Sequence, residues 1–234
     1  MNIVITGAGK GIGAEIVKIL CKHKGNHLFV ISRNGENLRK LQAECNRINP
    51  DAKLAIAEFD LSQFEFYPFL LQKIELVFRH CDLLIHNAGK LVNKPFLKTD
   101  PVDFDDVFNV NVKSVFLLTQ LLLPMMGSGG HILNISSMGG VQGSRKFPGI
   151  SAYSASKGAV AILTESLAEE LKEREIRINC LALGGVQTEM FEKAFPGAKA
   201  MHTPQQMAQY IADFAVTGHK FFNGKIIPVS LAVP

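Results

Sequence analysis

The sequence predicts a doubly wound α/β sheet, on three observations. Short β-rich runs alternate with longer helical patterns along the whole of the 234 residues. The runs are apolar on both alternations, as strands of a mostly parallel sheet must be when helices cover both faces. No repeat, low-complexity segment or Pro/Gly/Ser-rich linker divides the chain, so residues 1–234 form a single domain.

Seven runs supply the strands, at residues 3–6, 27–32, 53–58, 82–86, 131–136, 177–182 and 225–230. Helical patterns fill 11–23 and 36–48, the first with Ile16, Val17, Ile19 and Leu20 on its apolar side. A further helix around 115–123 is apolar almost all round, with Val115, Phe116, Leu117, Leu118, Leu121, Leu122 and Leu123. Such a helix needs cover on both sides. The sheet covers one; a second subunit or a long loop must cover the other.

Composition narrows the function classes. Hydrophobic residues make up 47% and charged residues 20%, which is ordinary for a soluble globular protein. The net charge is +4, with Lys and Arg scattered, so no nucleic-acid surface is expected. The most apolar stretch, 115–126, is interrupted by Thr119, Gln120 and Pro124 and is too short to span a membrane. Cys21, Cys45, Cys81 and Cys180 form no CxxC pair, which argues against a metal site or disulfide framework and for four reduced, buried thiols. An apolar strand starts at Ile3 with no signal peptide before it, and a cytoplasmic protein is expected.

The chemistry begins at the end of the first strand. Thr6-Gly7-Ala8-Gly9-Lys10-Gly11-Ile12-Gly13 leads into the first helix. Glycines there let the backbone turn tightly and approach a pyrophosphate at the free N–H groups of a helix N-terminus, so Gly7, Gly11, Ile12 and Gly13 are dinucleotide-binding candidates. A mononucleotide P-loop needs Gly-Lys-Ser/Thr after its first Gly, whereas here Lys10 precedes Gly11. The end of the second strand reads Ser32-Arg33-Asn34, with no carboxylate before Glu36. A carboxylate at that place would hold a ribose 2′-hydroxyl and repel a 2′-phosphate, while the Arg33 guanidinium would accept the phosphate. Lys10 can reach the same region. Unless the two are simply solvated surface cations, the cofactor is NADP.

Downstream stand His86-Asn87-Ala88-Gly89 after strand four, Asn111 within Asn-Val-Asn-Val, Ser136-Ser137 ending strand five, and Tyr153-Ser-Ala-Ser-Lys157. With the glycine loop, they resemble the short-chain dehydrogenase/reductase family in identity, order and spacing, from residue 1 to about 190. The resemblance implies a Rossmann-type domain, reduction of a small-molecule carbonyl substrate to an alcohol, and a homodimer or homotetramer. It implies that Tyr153 donates the proton and that Lys157 assists it and binds the nicotinamide ribose. Ser137 would hold the carbonyl oxygen, and Asn111 would support a water-linked proton path to Lys157. Asp60 would meet the adenine, and Asn87, Ala88 and Gly89 the adenosine ribose. Gly184, Val186 and Thr188 would meet the carboxamide and phosphates.

Physical chemistry supports the Tyr153–Lys157 pair independently. Four residues apart, the two share one helix face. A phenol ionises near pH 10, and moving that to ~7 requires ~4 kcal/mol of preference for the phenolate, which a neighbouring ammonium favours. His86 reads as a polar strand-end residue. Met138, Val141, Gln142, Phe147, Met190, Phe191 and Phe195 are candidates for an apolar substrate pocket.

Three departures from the family pattern bear on substrate and assembly. Leu183 replaces the usual Pro before Gly184, the 137–153 segment is a few residues longer than in many members, and the C-terminal tail lacks a Gly-Gly pair. The glycine loop and the tail resemble those of sepiapterin-reductase-like members. Two other functions share these features: a non-catalytic NADP-binding redox sensor, and an epimerase or dehydratase using the same Tyr–Lys pair.

Overall fold

The computed structural model describes residues 1–231; residues 232–234, the end of the tail without the Gly-Gly pair, lie outside the described residues. Among the described residues the order is β1 (Asn2–Thr6), α1 (Gly11–Leu20), β2 (His27–Ser32), α2 (Gly35–Ile48), β3 (Lys53–Glu58), α3 (Tyr67–Glu75) and β4 (Leu83–His86). Then come α4 (Pro101–Phe108), α5 (Ser114–Leu122), β5 (His131–Ser137), α6 (Ser151–Glu170), β6 (Arg177–Leu183), α7 (Glu189–Ala194), α8 (Pro204–Thr217) and β7 (Ile226–Val229). The seven strands form one sheet in the order β3-β2-β1-β4-β5-β6-β7, and every pairing is parallel. The strand order reverses between β1 and β4, which opens a crevice beyond their carboxyl ends, where such sheets bind ligands.

The doubly apolar strands are explained by two cores. Ile3 and Ile5 of β1 face a cluster with Ile16 of α1, Leu38 of α2 and Ile211 of α8. Val4, between them, faces the opposite cluster with Leu70 of α3, Leu118 of α5 and Ile178 of β6. All three β1 side chains are fully buried. Each contributes ~1.5–3 kcal/mol from burial, and Ile5→Ala would cost ~2–5 kcal/mol once the cavity is counted.

Helix starts follow local chemistry. Asp100 and Asp103 form a capping box with Pro101 in the first turn of α4, and Thr203 and Gln206 do the same before α8, with Pro204. From Pro101 to Met125 the chain is one continuous helical run, with a π-turn at Asn109–Lys113 joining α4 to α5. The run is longer than the apolar stretch expected from sequence, and by length and composition alone it could cross a membrane. One side packs into the fold through the buried Val107, Val115, Leu118 and Leu122, while Phe104 and Phe116 face outward. The four thiols are free and buried.

Candidate active site

The glycine loop is built against the turn after β4. Thr6 Oγ1 accepts hydrogen bonds from the backbone N–H groups of Asn87 and Ala88, both at 3.1 Å. The Asn87 amide Nδ2 donates to the carbonyls of Thr6 and Gly7, again at 3.1 Å. Gly7 and Gly11 adopt left-handed backbone conformations, with φ of +68° and +58°. A Cβ on Gly7 would lie 2.6 Å from Ala88 Cα, and one on Gly13 would lie 2.3 Å from the Gly7 carbonyl oxygen. Asn87 lines the cleft as expected, yet its side chain is committed to bracing the loop.

The residues present fit a dinucleotide. Lys10 is the N-cap of α1 but gives it no side-chain cap, and the first turn holds no acidic residue, so its N–H groups are left for an anion. Gly7, Gly9, Gly11, Ile12 and Gly13 line one end of a cleft of about 680 Å³, together with Arg33, Asp60, Ala88 and Gly89. Arg33 is mostly exposed, and its Nη1 stands 3.9 Å from Asp60 Oδ2. The other oxygen of Asp60 accepts from the backbone and hydroxyl of Ser62. Lys10 lines the same cleft as Arg33, and its ammonium pairs with Glu189 of α7 at 2.5 Å. Glu189, gripped by Lys10 and also by Lys193, is held well below the usual carboxylate range.

At the other end, Ser137 closes β5 while Tyr153 and Lys157 project from α6. Strand and helix are tied where the chemistry lies. Ser136 Oγ donates to the Lys157 carbonyl at 2.8 Å, and the Lys157 ammonium donates to the Ile135 carbonyl at 2.8 Å. A Cβ on Gly140 would lie 2.5 Å from the Lys157 carbonyl carbon, so the turn after Ser137 can approach α6 only through glycine. Burial pushes Lys157 down to about 8. Burial also pushes the Tyr153 phenol up, and the Ser137 hydroxyl beside it works in the opposite direction. The lowered phenol expected from sequence is therefore not what the protein's own groups produce. The Lys157 ammonium lies 5.8 Å from the centre of the Tyr153 ring, and burial decides the direction of the phenol.

Asn111 is held by three side-chain hydrogen bonds. It is buried in the π-turn; its carbonyl oxygen accepts from Lys90 N at 2.7 Å, and its amide donates to Lys90 O and Ser156 Oγ, both at 2.9 Å. Its side chain ties the turn after Gly89 to the second turn of α6. His86 is a buried strand-end residue as expected, paired with Thr119 Oγ1 at 2.9 Å; burial and Lys157 hold it down at about 3.

The substrate side is lined by Met138, Phe147, Met190, Phe191 and Phe195, whereas Val141 and Gln142 do not line it. The 3-10 turn at Met138–Gly140 carries those two residues away. Phe195 packs against Phe147 at 5.6 Å and Phe191 at 5.3 Å. Gly184, Val186 and Thr188 line the cleft, and Thr188 caps α7 by accepting from Phe191 N. Leu183 joins the core below. The sequence reading missed that α7 is tied at both ends, by Lys10–Glu189 and by Asn93 Nδ2 donating to the Ala194 carbonyl at 2.5 Å. Thr188 followed by Glu189 is a helix-start signal, but the two ties are distant in sequence.

Residues 1–199 match the family model described as short chain dehydrogenase. The chain is 37% identical to carbonyl reductase (NADPH) 2 of Sus scrofa, over 76% of this chain and 69% of that one. It is 30% identical to the 3-oxoacyl-(acyl-carrier-protein) reductase of Thermotoga maritima, over 97% and 94%. A short-chain dehydrogenase structure from Shigella flexneri, complexed with NADP, superposes with a TM-score of 0.88 at 30% identity, covering 97% of this chain and 95% of that one.

Proposed function

The chain belongs to the short-chain dehydrogenase family of oxidoreductases, and from that premise we propose that it reduces a small carbonyl compound to an alcohol with NADPH. One observation carries the reading: Ser137, Tyr153 and Lys157 meet at one end of the cleft whose other end is the glycine loop and Arg33. The dinucleotide, when bound, supplies the hydride to the carbonyl carbon. Ser137 Oγ donates a hydrogen bond to the carbonyl oxygen and orients it. Tyr153, kept protonated by its burial, gives that oxygen its proton. Lys157, pushed down to about 8 by burial, restores the proton to the phenol and holds the ribose hydroxyls.

Arg33 is the group proposed to choose NADPH over NADH. Its single acid partner is distant, so a phosphate can take the guanidinium in a bidentate fork. The NADPH named for the Sus scrofa relative and the NADP in the Shigella flexneri structure support the same choice. The test is NADPH consumption across a panel of ketones, aldehydes and acyl thioesters. Turnover of at least one is expected, and a protein that binds NADPH but oxidises it with none contradicts the reading.

The same reading includes self-association in the cytoplasm. Val102, Phe104 and Phe116 on the 101–125 helix and Ile162 on α6 are exposed apolar side chains, and a second copy of the chain is the cover proposed for them.

A further inference from the structure

The charged groups around the cleft are unevenly satisfied. At the cofactor end Arg33 has Asp60, and Lys10 has Glu189. Lys157 is held by a backbone carbonyl. The remaining cation on the wall is Arg145, in the loop that leads from Ser137 to Tyr153. Among the described residues it makes no ion pair; its guanidinium lies 5.5 Å from the centre of the Phe147 ring. Its neighbour Lys146 is used differently. Lys146 folds back on its own loop, donating to the Val141 carbonyl and to Ser144 Oγ, and does not line the cleft. Ser144 braces the same loop by donating to the carbonyls of Met138 and Val141, and Lys94 N donates to Gly149 O at 2.9 Å. Of two adjacent cations, one steadies the loop and the other faces the site.

We propose that Arg145 determines specificity, and that the substrate is a carbonyl compound with an apolar, ring-sized body and one carboxylate or similar anion. The body would sit against Phe147, Phe191 and Phe195, and the anion would take the Arg145 fork. This rests on reading the cleft as a carbonyl-reducing site. Arg145 and Phe147 are both exposed, and the guanidinium over the Phe147 ring is oriented by that cation–π contact while its fork stays open to an anion. The acids that line the cleft, Asp60 and Glu189, are each paired with a cation, Arg33 and Lys10, so neither stands as an unpaired carboxylate against such a group.

The experiment compares 4-phenyl-2-oxobutanoate, its ethyl ester and 4-phenyl-2-butanone as substrates with NADPH, in the native protein and in Arg145→Ala and Arg145→Lys. In the native protein kcat/KM for the acid should exceed that for the ester by about ten-fold or more, as a charge-assisted fork provides. Arg145→Ala should lower the acid-to-ester ratio by about ten-fold, mainly through KM, and Arg145→Lys should recover part of it. Calorimetry gives a second readout. 3-Phenylpropanoate should bind the NADPH-loaded protein more tightly than 3-phenylpropanamide, and Arg145→Ala should remove the difference. If the ester or ketone is reduced but the acid has no advantage, or if the ratio survives Arg145→Ala, this inference falls and the carbonyl-reducing reading stands. If none of the three is reduced and neither ligand binds, this inference falls, and the wider carbonyl panel decides the reading it rests on.

Discussion

Replacing Asn87 separates a residue that braces the site from one that merely touches a ligand. Its amide Nδ2 donates two partly buried hydrogen bonds of 3.1 Å to the carbonyls of Thr6 and Gly7. Counted at ~0.5–1.5 kcal/mol each, their loss in Asn87→Ala costs ~1–3 kcal/mol. For a chain of this size roughly 2–4 °C accompany each kcal/mol, so the midpoint should fall by about 2–12 °C. Asn87→Asp, nearly isosteric, should be worse at neutral pH, because a carboxylate would oppose two carbonyl oxygens with no proton to offer. It should recover partly as pH falls toward ~4, because the two facing carbonyls raise the carboxyl above its unfolded value and the protonated acid gains one donor. Thermal unfolding followed by circular dichroism, with and without NADPH, measures all of this. Both variants should also bind NADPH more weakly, because the loop they loosen carries Gly7 in its left-handed conformation. An unchanged midpoint in Asn87→Ala, with only NADPH affinity reduced, would refute the bracing role.

The cofactor end predicts that NADPH binds more tightly than NADH by ~1.5–3 kcal/mol, and that Arg33→Asp reverses most of the preference in fluorescence titrations of the two cofactors; equal dissociation constants in the native protein would contradict it. Buried His131, held at about 4 by desolvation, and His86, at about 3, fold in their neutral forms. Between those values and the unfolded value near 6.5 the unfolded chain binds more protons, so stability should fall steadily as pH drops below ~6.5. Denaturant midpoints at pH 7.5 and 5 should differ accordingly, and identical midpoints would refute the neutral burial. Sedimentation at micromolar concentration should show no dominant monomer, and Phe116→Glu with Ile162→Glu should produce one. A native protein that sediments as a clean monomer would return the apolar face to ordinary surface.

The strands were legible because each must be apolar on both faces, and Ile3-Val4-Ile5 shows why, with alternate side chains entering different cores. Tyr153 and Lys157 were legible for a comparable local reason, since residues four apart share a helix face. What could not be read depends on chain segments far apart. Lys10 reaches Glu189 across 179 residues, and the Asn111 amide is consumed by Lys90 and Ser156, 21 and 45 residues away. Val141 and Gln142 were assigned to the pocket from their place between Ser137 and Tyr153, before a 3-10 turn diverted the chain. The phenol's direction was missed because a pair of residues does not report its own burial, and burial decides it here.

The central claim is that Tyr153 is the proton donor in a carbonyl reduction, and Tyr153→Phe tests it most directly. The substitution removes one hydroxyl and leaves the ring against Lys157, so fold and NADPH affinity should be kept. Single-turnover reduction of any active carbonyl, by variants matched for bound NADPH, should slow by ~10² or more. A Tyr153→Phe protein that reduces the same carbonyl at the native rate would contradict the account.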